Sequence, residues 1–351
     1  MECKSEICEE KTYYCLTLDP IHVGTGGYRI GRVDNTIMRE PGTDLPKIPG
    51  TGLCGVARAY TAMHFPDKYQ RPRPIKKKMP DGTEKEEIVY DSCAGKGGSE
   101  GEGHCGNPDC PVCIPYGFTK KKQSLQGMAQ FSDARILFFP VYSMIGPVWV
   151  TSPGILKEFN QSVELESRDK IRMIDPGQAL EEQGKKHLNL GWLMLELEGE
   201  FNIDSTKFPY IADEIKNRLI LVSDELFPQI VNDNLEVRTS VSIDPQTGAA
   251  ESGALFTYEA IPRATVLWFT VTYNNPDLYL ITMDDGKTRV PIKPPTEWHK
   301  QNPNKNALQW IIDSVEKGLN YIQFLGVGGM GTRGMGRIKI LNTGGKDEEA
   351  T

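Results

Sequence analysis

Six apolar residues near the C-terminus, Leu308, Ile311, Ile312, Val315, Leu319 and Ile322, recur at helical spacing and predict a helix over residues 304–324 with one buried face. Such a face needs an apolar partner surface. The clearest strand in the chain lies shortly before it, Arg263-Ala-Thr-Val-Leu-Trp-Phe-Thr-Val-Thr-Tyr273, rich in β-branched and aromatic types. A last strand is predicted over Arg337 to Leu341. The N-terminal part repeats the pattern. Tyr13 to Leu18 reads as a strand. A helix follows from Thr51 to about His64, with Leu53, Val56, Ala57 and Tyr60 on its inner face. Phe131 to Phe139 and Val148-Trp-Val are further strands, and Ser152-Pro153 is a helix start. The order strand–helix–strand–strand–helix–strand predicts an α+β chain with a ferredoxin-like (RRM-type, split βαβ) core.

Long segments interrupt this core, in keeping with 35 glycines and 24 prolines among 351 residues. Residues 66–128 lose regular periodicity and read as an insertion. Residues 161–188 are highly charged and read as an exposed excursion; Leu190 to Phe201 is strand-like. Ile211 to Ile230 carries apolar residues at 215, 219, 222, 226 and 230 and reads as mostly helical. Residues 236–262 hold little that could build a core. Turn chemistry at Asp244-Pro245 and Thr247-Gly248 makes them a projecting hairpin or arm. The whole, residues 1–351, is expected to be one domain with these additions.

The cysteines give the strongest local signal. Cys110-Pro-Val-Cys113 is a knuckle, Cys105 lies just before it, and Cys93 completes a set of four, with His104 as a spare ligand. Four thiolates around a tetrahedral Zn²⁺ would hold together an insertion otherwise short of core. The alternative is a set of unliganded reduced thiols in a flexible loop. Cys3, Cys8, Cys15 and Cys54 lack such grouping and read as ordinary thiols; Cys3 and Cys8 could at most form a minor second pair. No apolar stretch approaches membrane-spanning length and the N-terminus is no signal peptide, so a cytoplasmic protein is expected.

A net charge of −7 argues against an indiscriminate nucleic-acid binder but leaves room for a local basic groove. Lys76 to Lys78 and Lys120 to Lys122, with Arg71 and Arg73, are candidate patches; solvated loop charge is the equal alternative. Two glycine-rich stretches suit close approach to a ligand. His22-Val-Gly24-Thr-Gly26-Gly27 follows the first strand, and the helix N-terminus near Thr51 offers free N–H groups to a phosphate. Arg58 falls outside the inner face of that helix and is free to meet a ligand. Gly326-Val-Gly328-Gly329-Met-Gly-Thr-Arg333-Gly-Met-Gly-Arg337 is neither a Walker loop nor a dinucleotide fingerprint; it is a phosphate-contacting loop or a plain turn. Asp34 is a lone carboxylate between Arg32 and Arg39.

Several of these stretches carry a resemblance: His22-Val-Gly-Thr-Gly26, Val33-Asp34, Met38-Arg39-Glu40, Ile48-Pro-Gly-Thr-Gly-Leu53, Ala129 to Arg135, Val148 to Pro153, Ile243 to Ala249, Gly253 to Pro262 and Gly326 to Arg337. Together, and in this order, they resemble the RAMP superfamily of CRISPR proteins, above all the backbone subunits of type III-B (Cmr) effector complexes. The resemblance implies a subunit that binds guide RNA, assembles in several copies with other type III effector subunits, and cuts single-stranded target RNA paired to the guide. It makes Asp34 the catalytic residue, acting with Mg²⁺ or Mn²⁺. His22 becomes a general acid or base, an RNA contact, or a packed structural histidine. RNA contacts are expected at Gly24, Gly26, Arg39, Lys47, Thr51, Arg58, Gly328, Gly329, Arg333 and Arg337. The arm over 236–262 becomes a thumb that wedges between bases. Cys54 departs from the pattern, since the family often has a lysine there. A non-cleaving scaffold and a type III-A or III-D backbone subunit are the neighbouring alternatives. A guide-processing enzyme and a zinc-stabilised metabolic enzyme are more remote.

Overall fold

The computed structural model describes residues 6–26, 33–79, 83–95, 103–120, 122–182, 184–283 and 285–343. Its centre is an antiparallel sheet. The strand Cys8–Thr17 lies between Val266–Asn274 on one side and Ile338–Ile340 on the other. Ala129–Phe131 and Arg135–Val141 pair with the far side of Val266–Asn274. The helices Gly50–His64 and Ala307–Asn320 connect first to second and third to last of these strands. Period-2 alternation splits the sheet between two cores. Tyr13, Cys15, Leu267 and Phe269 join the helix residues Leu53, Ala57, Ile311 and Val315. Tyr14, Val266, Trp268 and Phe138 join Leu156, Phe201 and Phe208 on the opposite face. The C-terminal helix opens where Asn306 Oδ1 accepts the Gln309 N–H at 2.9 Å. Among the described residues no helix is long and apolar enough to cross a membrane.

The two helices cross at Gly318, where a Cβ would come within 2.3 Å of the Ala57 carbonyl oxygen and of Thr61 Oγ1. Thr61 already donates to the Ala57 carbonyl at 2.8 Å and lies 2.9 Å from the Tyr116 hydroxyl, so the crossing cannot give way cheaply. Gly318→Ala should therefore destabilise the protein by about 2–3 kcal/mol, the upper part of the overpacking range. That outweighs the ~0.5–1 kcal/mol that alanine gains over glycine inside a helix. Urea denaturation measures it; an unchanged midpoint would mean the helices separate without strain.

Three stretches fold differently from their sequence patterns. Residues 66–128 divide into two parts. Arg71–Lys78 and Glu84–Asp91 form a largely exposed hairpin, whereas residues 93–128 bring Val112, Ile114, Phe118 and Met128 into the main core. The charged stretch 161–188 contains Lys170–Met173 and most of Lys185–Leu190, which extend the sheet and bury Ile171, Met173, Leu188 and Leu190. The stretch 211–230 is not one helix. It breaks into Asp213–Lys216, the strand Leu219–Leu221, and a helix Leu226–Asp233. The short strand pairs in parallel with Val148–Thr151. The run Leu219-Ile220-Leu221-Val222 satisfied helical spacing only because every position is apolar. In the fold its odd and even members enter opposite cores, as a strand buried on both faces requires.

Candidate functional site

Short backbone bridges stack the loops that follow the first strand beside the central sheet. Ile21 pairs with Ile261, Gly24 with Ile37, Arg39 with Pro46, and Ile48 with Ala134. The glycine loop, the Asp34 segment and the approach to the first helix thus form one ladder. The arm, Glu236–Ile243 paired with Ala250–Ala260, rises from the same place. Its root is tied in where the Asn35 N–H donates to the Thr257 carbonyl at 3.0 Å and the Glu259 N–H to the Asn35 carbonyl at 3.0 Å. Beyond the root its apolar residues Val241, Ile243 and Leu255 are exposed.

Asp34 is exposed and held in one orientation. Its Oδ2 accepts the Thr257 N–H at 2.8 Å and the Thr257 hydroxyl at 3.0 Å, while its own N–H donates to Thr257 Oγ1 at 3.0 Å. The bond from the Thr257 backbone, then that from its hydroxyl, holds the carboxyl below the usual carboxylate range. Asp34 is therefore an anion at neutral pH, carried on the root of the arm.

A second layer supports it. Arg39 grips the buried Glu259 carboxylate with two bonds of 2.8 Å, and the Ile37 N–H donates to the same carboxylate at 3.3 Å. His22 is buried; its Nδ1 lies 2.7 Å from the Glu259 carbonyl oxygen, which fixes the proton on Nδ1, and its ring meets Tyr258 edge-on. The Gly329 N–H donates to the His22 carbonyl at 2.8 Å. Gly328, at φ +82°, passes so close that a Cβ there would sit 2.4 Å from that carbonyl oxygen. The C-terminal glycine loop is thus a packed turn against the N-terminal one, and its backbone freedom is used for that approach. Arg333 is exposed and donates to the Tyr258 hydroxyl at 2.8 Å. Arg337 forms a two-bond ion pair with Asp19 at 2.5 and 3.0 Å, and its guanidinium holds the Asp19 carboxyl below its ordinary range. Gly24, Gly26 and Thr51 are exposed along this face.

Other predicted cations are engaged internally. Lys47 bonds Asp133 at 2.6 Å. Burial pushes that carboxyl up, but Lys47 and the Gly50 N–H more than compensate and leave it below the usual range. Arg58, expected to face a ligand, instead donates to the Cys93 carbonyl at 2.9 and 2.7 Å and approaches His104 at 3.0 Å. In the run Lys76 to Lys78, Lys76 and Lys77 are not free basic groups. The run lies across a hairpin from acids, with Lys76–Glu84 at 3.8 Å, Lys77–Glu87 at 3.4 Å and Arg73–Asp91 at 2.8 Å. Lys120 reaches the Cys105 carbonyl at 3.3 Å. Arg32, Gly27 and Lys121 lie outside the described residues.

The sulfurs of Cys93, Cys105, Cys110 and Cys113 all lie within 4.8 Å of one another, and Cys105 and Cys113 are 3.7 Å apart. A tetrahedron with metal–sulfur bonds of about 2.3 Å has edges of about 3.8 Å, so the cluster fits a metal ion. The Cys113 N–H donates to Cys110 Sγ at 3.3 Å, a bond that stabilises a thiolate in such a knuckle. His104 is not among these ligands. Its Nε2 lies 2.9 Å from the Gly95 carbonyl and its Nδ1 3.3 Å from the Thr119 N–H.

Thr257, Tyr258 and Glu259 were not singled out as site residues, although they orient Asp34, His22 and Arg39. Their signal was the polar–aromatic–acidic triplet at the end of the arm, where an otherwise solvent-facing strand re-enters the core.

A family model described as the RAMP superfamily matches residues 14–339. Among curated proteins, the chain is 27% identical over 270 residues to the CRISPR system Cmr endoribonuclease Cmr4 of Pyrococcus furiosus, covering 72% of this chain and 77% of that protein. Among solved structures, it is similar to a chain of the type III-B Cmr-beta complex bound to cognate target RNA, with TM-score 0.56, 15% identity, and coverage of 96% of this chain and 98% of that one. A chain of the apo Cmr-beta complex gives TM-score 0.53 at 14% identity, covering 94% and 96%. At such identities the structural likeness concerns the fold.

Proposed function

The chain belongs to the RAMP superfamily, and on that premise we propose that it is a backbone subunit of a type III-B CRISPR effector complex. In this reading it binds guide RNA, repeats along it in several copies beside other effector subunits, and cuts the paired target RNA. The strand order last–first–third–second, with a helix on each crossover, supports a ferredoxin-like core; since both sheet faces are buried, the loops beside it are left to meet RNA.

The observation that carries the reading is Asp34, an exposed anion fixed to the root of a projecting arm by Thr257. The exposed Ile243 and Leu255, with the half-buried Phe256, give the arm apolar side chains that can part stacked bases. Opening the duplex beside Asp34 relaxes the target strand enough for a 2′-hydroxyl to line up with the next phosphate. Positioning of that kind supplies much of the barrier reduction. A carboxyl held below its normal range is a weak proton acceptor at neutral pH, so charge and orientation are its main contributions. Among the described residues Asp34 belongs to no group of three or more potential metal ligands. Mg²⁺ or Mn²⁺ would therefore be held by this one carboxylate together with substrate phosphates, a common arrangement for Mg²⁺. When bound, the ion supplies positive charge to the phosphoryl oxygens. His22 positions the loop: its Nδ1 is committed to the Glu259 carbonyl. A structural Zn²⁺ on Cys93, Cys105, Cys110 and Cys113 completes the reading.

The direct test is to purify the chain from its host and sequence the RNA that comes with it. Short RNAs sharing one repeat-derived end are expected; RNA of random sequence, or none, would remove the guide-binding role. A finer expectation concerns charge. Among the described residues Arg333 bonds the Tyr258 hydroxyl and no carboxylate, whereas Arg337 is neutralised by Asp19. Arg333→Ala should weaken guide binding by roughly a few-fold to tenfold and lower the salt-dependence slope by about one unit. Arg337→Ala should change the slope much less. Equal slopes for wild type and Arg333→Ala would take that loop out of the RNA site.

A further inference from the structure

The strands Arg135–Val141 and Val148–Thr151 form a hairpin whose two ends differ sharply. At its turn, Tyr142 is 72% exposed and Met144 43%. The Gly191 N–H donates to the Tyr142 carbonyl at 2.9 Å, which brings a second turn against the first. That turn joins Leu190 to its partner Leu193 through Gly191 and Trp192 alone. Gly191 is at φ +63°, and a Cβ there would strike Asn234 Oδ1 at 2.5 Å, so the turn is pinned. Trp192 at its tip is 99% exposed, beside Leu193 and Met194. An apolar cluster of this size on a rigid turn is a contact surface in search of a partner. Arg218 bonds the Ile145 and Pro147 carbonyls and gives this end positive charge.

The other end of the hairpin carries the complement. Arg135 opens the first strand and Ser152 closes the second, and between them lies a cavity of about 280 Å³ lined by Leu45, Pro46, Ile136, Ile155 and Phe227. Its rim holds the acids Glu40, Glu158 and Asp224 and one cation, Arg135, which pairs with Glu158 at 2.7 Å and leaves the rim net negative. Cluster and cavity are separated by the length of the Arg135–Val141 strand, about 20 Å at the usual rise per residue. A protruding apolar knob with a cation at one end, and an apolar hole rimmed with acids at the other, cannot satisfy each other within one molecule. Between molecules they give a heterologous contact, the kind that propagates instead of closing as a dimer. The indole N–H, a donor without acceptor capacity, suits an acidic rim.

We propose that Trp192 of one copy of this chain seats in the cavity beside Ile155 and Phe227 of the next, making the head-to-tail contact between successive copies. This rests on the reading of the chain as a repeating backbone subunit and names the surfaces that repeat. The test is disulfide trapping of the full chain, with and without guide RNA. Thr43 lies on the exposed rim of the cavity. A chain carrying both Met194→Cys and Thr43→Cys, with Trp192 kept as the anchor, should give a ladder of covalent multimers under mild oxidation. An equal mixture of the two single variants should stop at dimers, and each single variant alone should remain monomeric. A ladder without RNA in it would leave the contact standing and remove the RNA role. Guide RNA bound by several copies that give no ladder would overturn the contact and leave the RNA role intact. Dimers from Met194→Cys alone would overturn it too, by making the contact knob-to-knob. Independently, Trp192→Ala should weaken self-association about thirtyfold or more in sedimentation, as for an aromatic anchor. Unchanged association would count against the proposal.

Discussion

Asp34→Ala should leave guide and target binding near the wild-type level and slow cleavage of the paired target by on the order of 10²-fold or more. The first half follows from exposure. Asp34 contacts only Thr257 among the described side chains, so removing its carboxylate leaves the buried Arg39–Glu259 pair and the packed glycine loops in place. The second half follows from geometry: one anion, held by a backbone N–H and a hydroxyl, is aimed at the space beside the arm. Thr257→Val separates orientation from charge. It removes both bonds of the hydroxyl, the one given to Asp34 Oδ2 and the one taken from the Asp34 N–H, but keeps the Thr257 N–H bond, so cleavage should fall to an intermediate rate while Asp34 remains ionised. The assay is cutting of a labelled RNA complementary to the guide, at fixed divalent ion, by the assembled complex. Wild-type cutting by Asp34→Ala would leave a non-cleaving scaffold as the function. Loss of target binding would make Asp34 structural and turn the search to His22.

Removing the metal should have an effect of comparable size on folding. About one zinc per chain is expected by elemental analysis, bound to Cys93, Cys105, Cys110 and Cys113. Three of these residues are fully buried, and the segment they tie down carries Val112, Ile114 and Phe118 into the main core. Structural zinc sites contribute apparent free energies of about 10–16 kcal/mol in zinc-finger peptides. Native proteins have only about 5–15 kcal/mol of net stability to lose. Cys110→Ala, or prolonged chelation, should therefore open this part of the core: broadened or lost thermal unfolding, and thiols that react freely. His104→Ala is the control, since His104 bonds the backbone of Gly95 and Thr119 and not the cluster, and the variant should keep its zinc. A metal-free, fully folded protein with four freely titrating thiols would defeat the assignment. Arg58 adds a link, since its guanidinium holds the Cys93 carbonyl and so ties the cluster to the first helix.

Local periodicity and local chemistry were enough for part of this protein. The helix stripe over 307–320, the strand over 266–274 and the arm's turn residues are read correctly because each is dictated by neighbours in sequence. The cysteine set was legible for the same reason: ligand spacing is a local signal, and the four sulfurs do converge. What sequence alone could not settle was which charges are spent. Lys47, Arg58, Lys76, Lys77 and Arg337 look alike in a row of letters, yet each meets an internal partner that tertiary folding brings up. An ion pair depends on distance in space, which carries no periodic mark along the chain. The same holds for Leu219–Leu221. A short run of continuous apolar residues is compatible with helix or strand, and only the open position beside Val148–Thr151 selects the strand. Glycines 328 and 329 show the reverse. Their composition suggested a phosphate loop, but their backbone freedom is already used in passing the His22 carbonyl. Sequence thus marked the candidates, Asp34 and the four cysteines, whose sulfurs the fold brings together. The tertiary structure decided how they are held, because Thr257 and Glu259 reach Asp34 and Arg39 only when the arm's root packs against the glycine ladder.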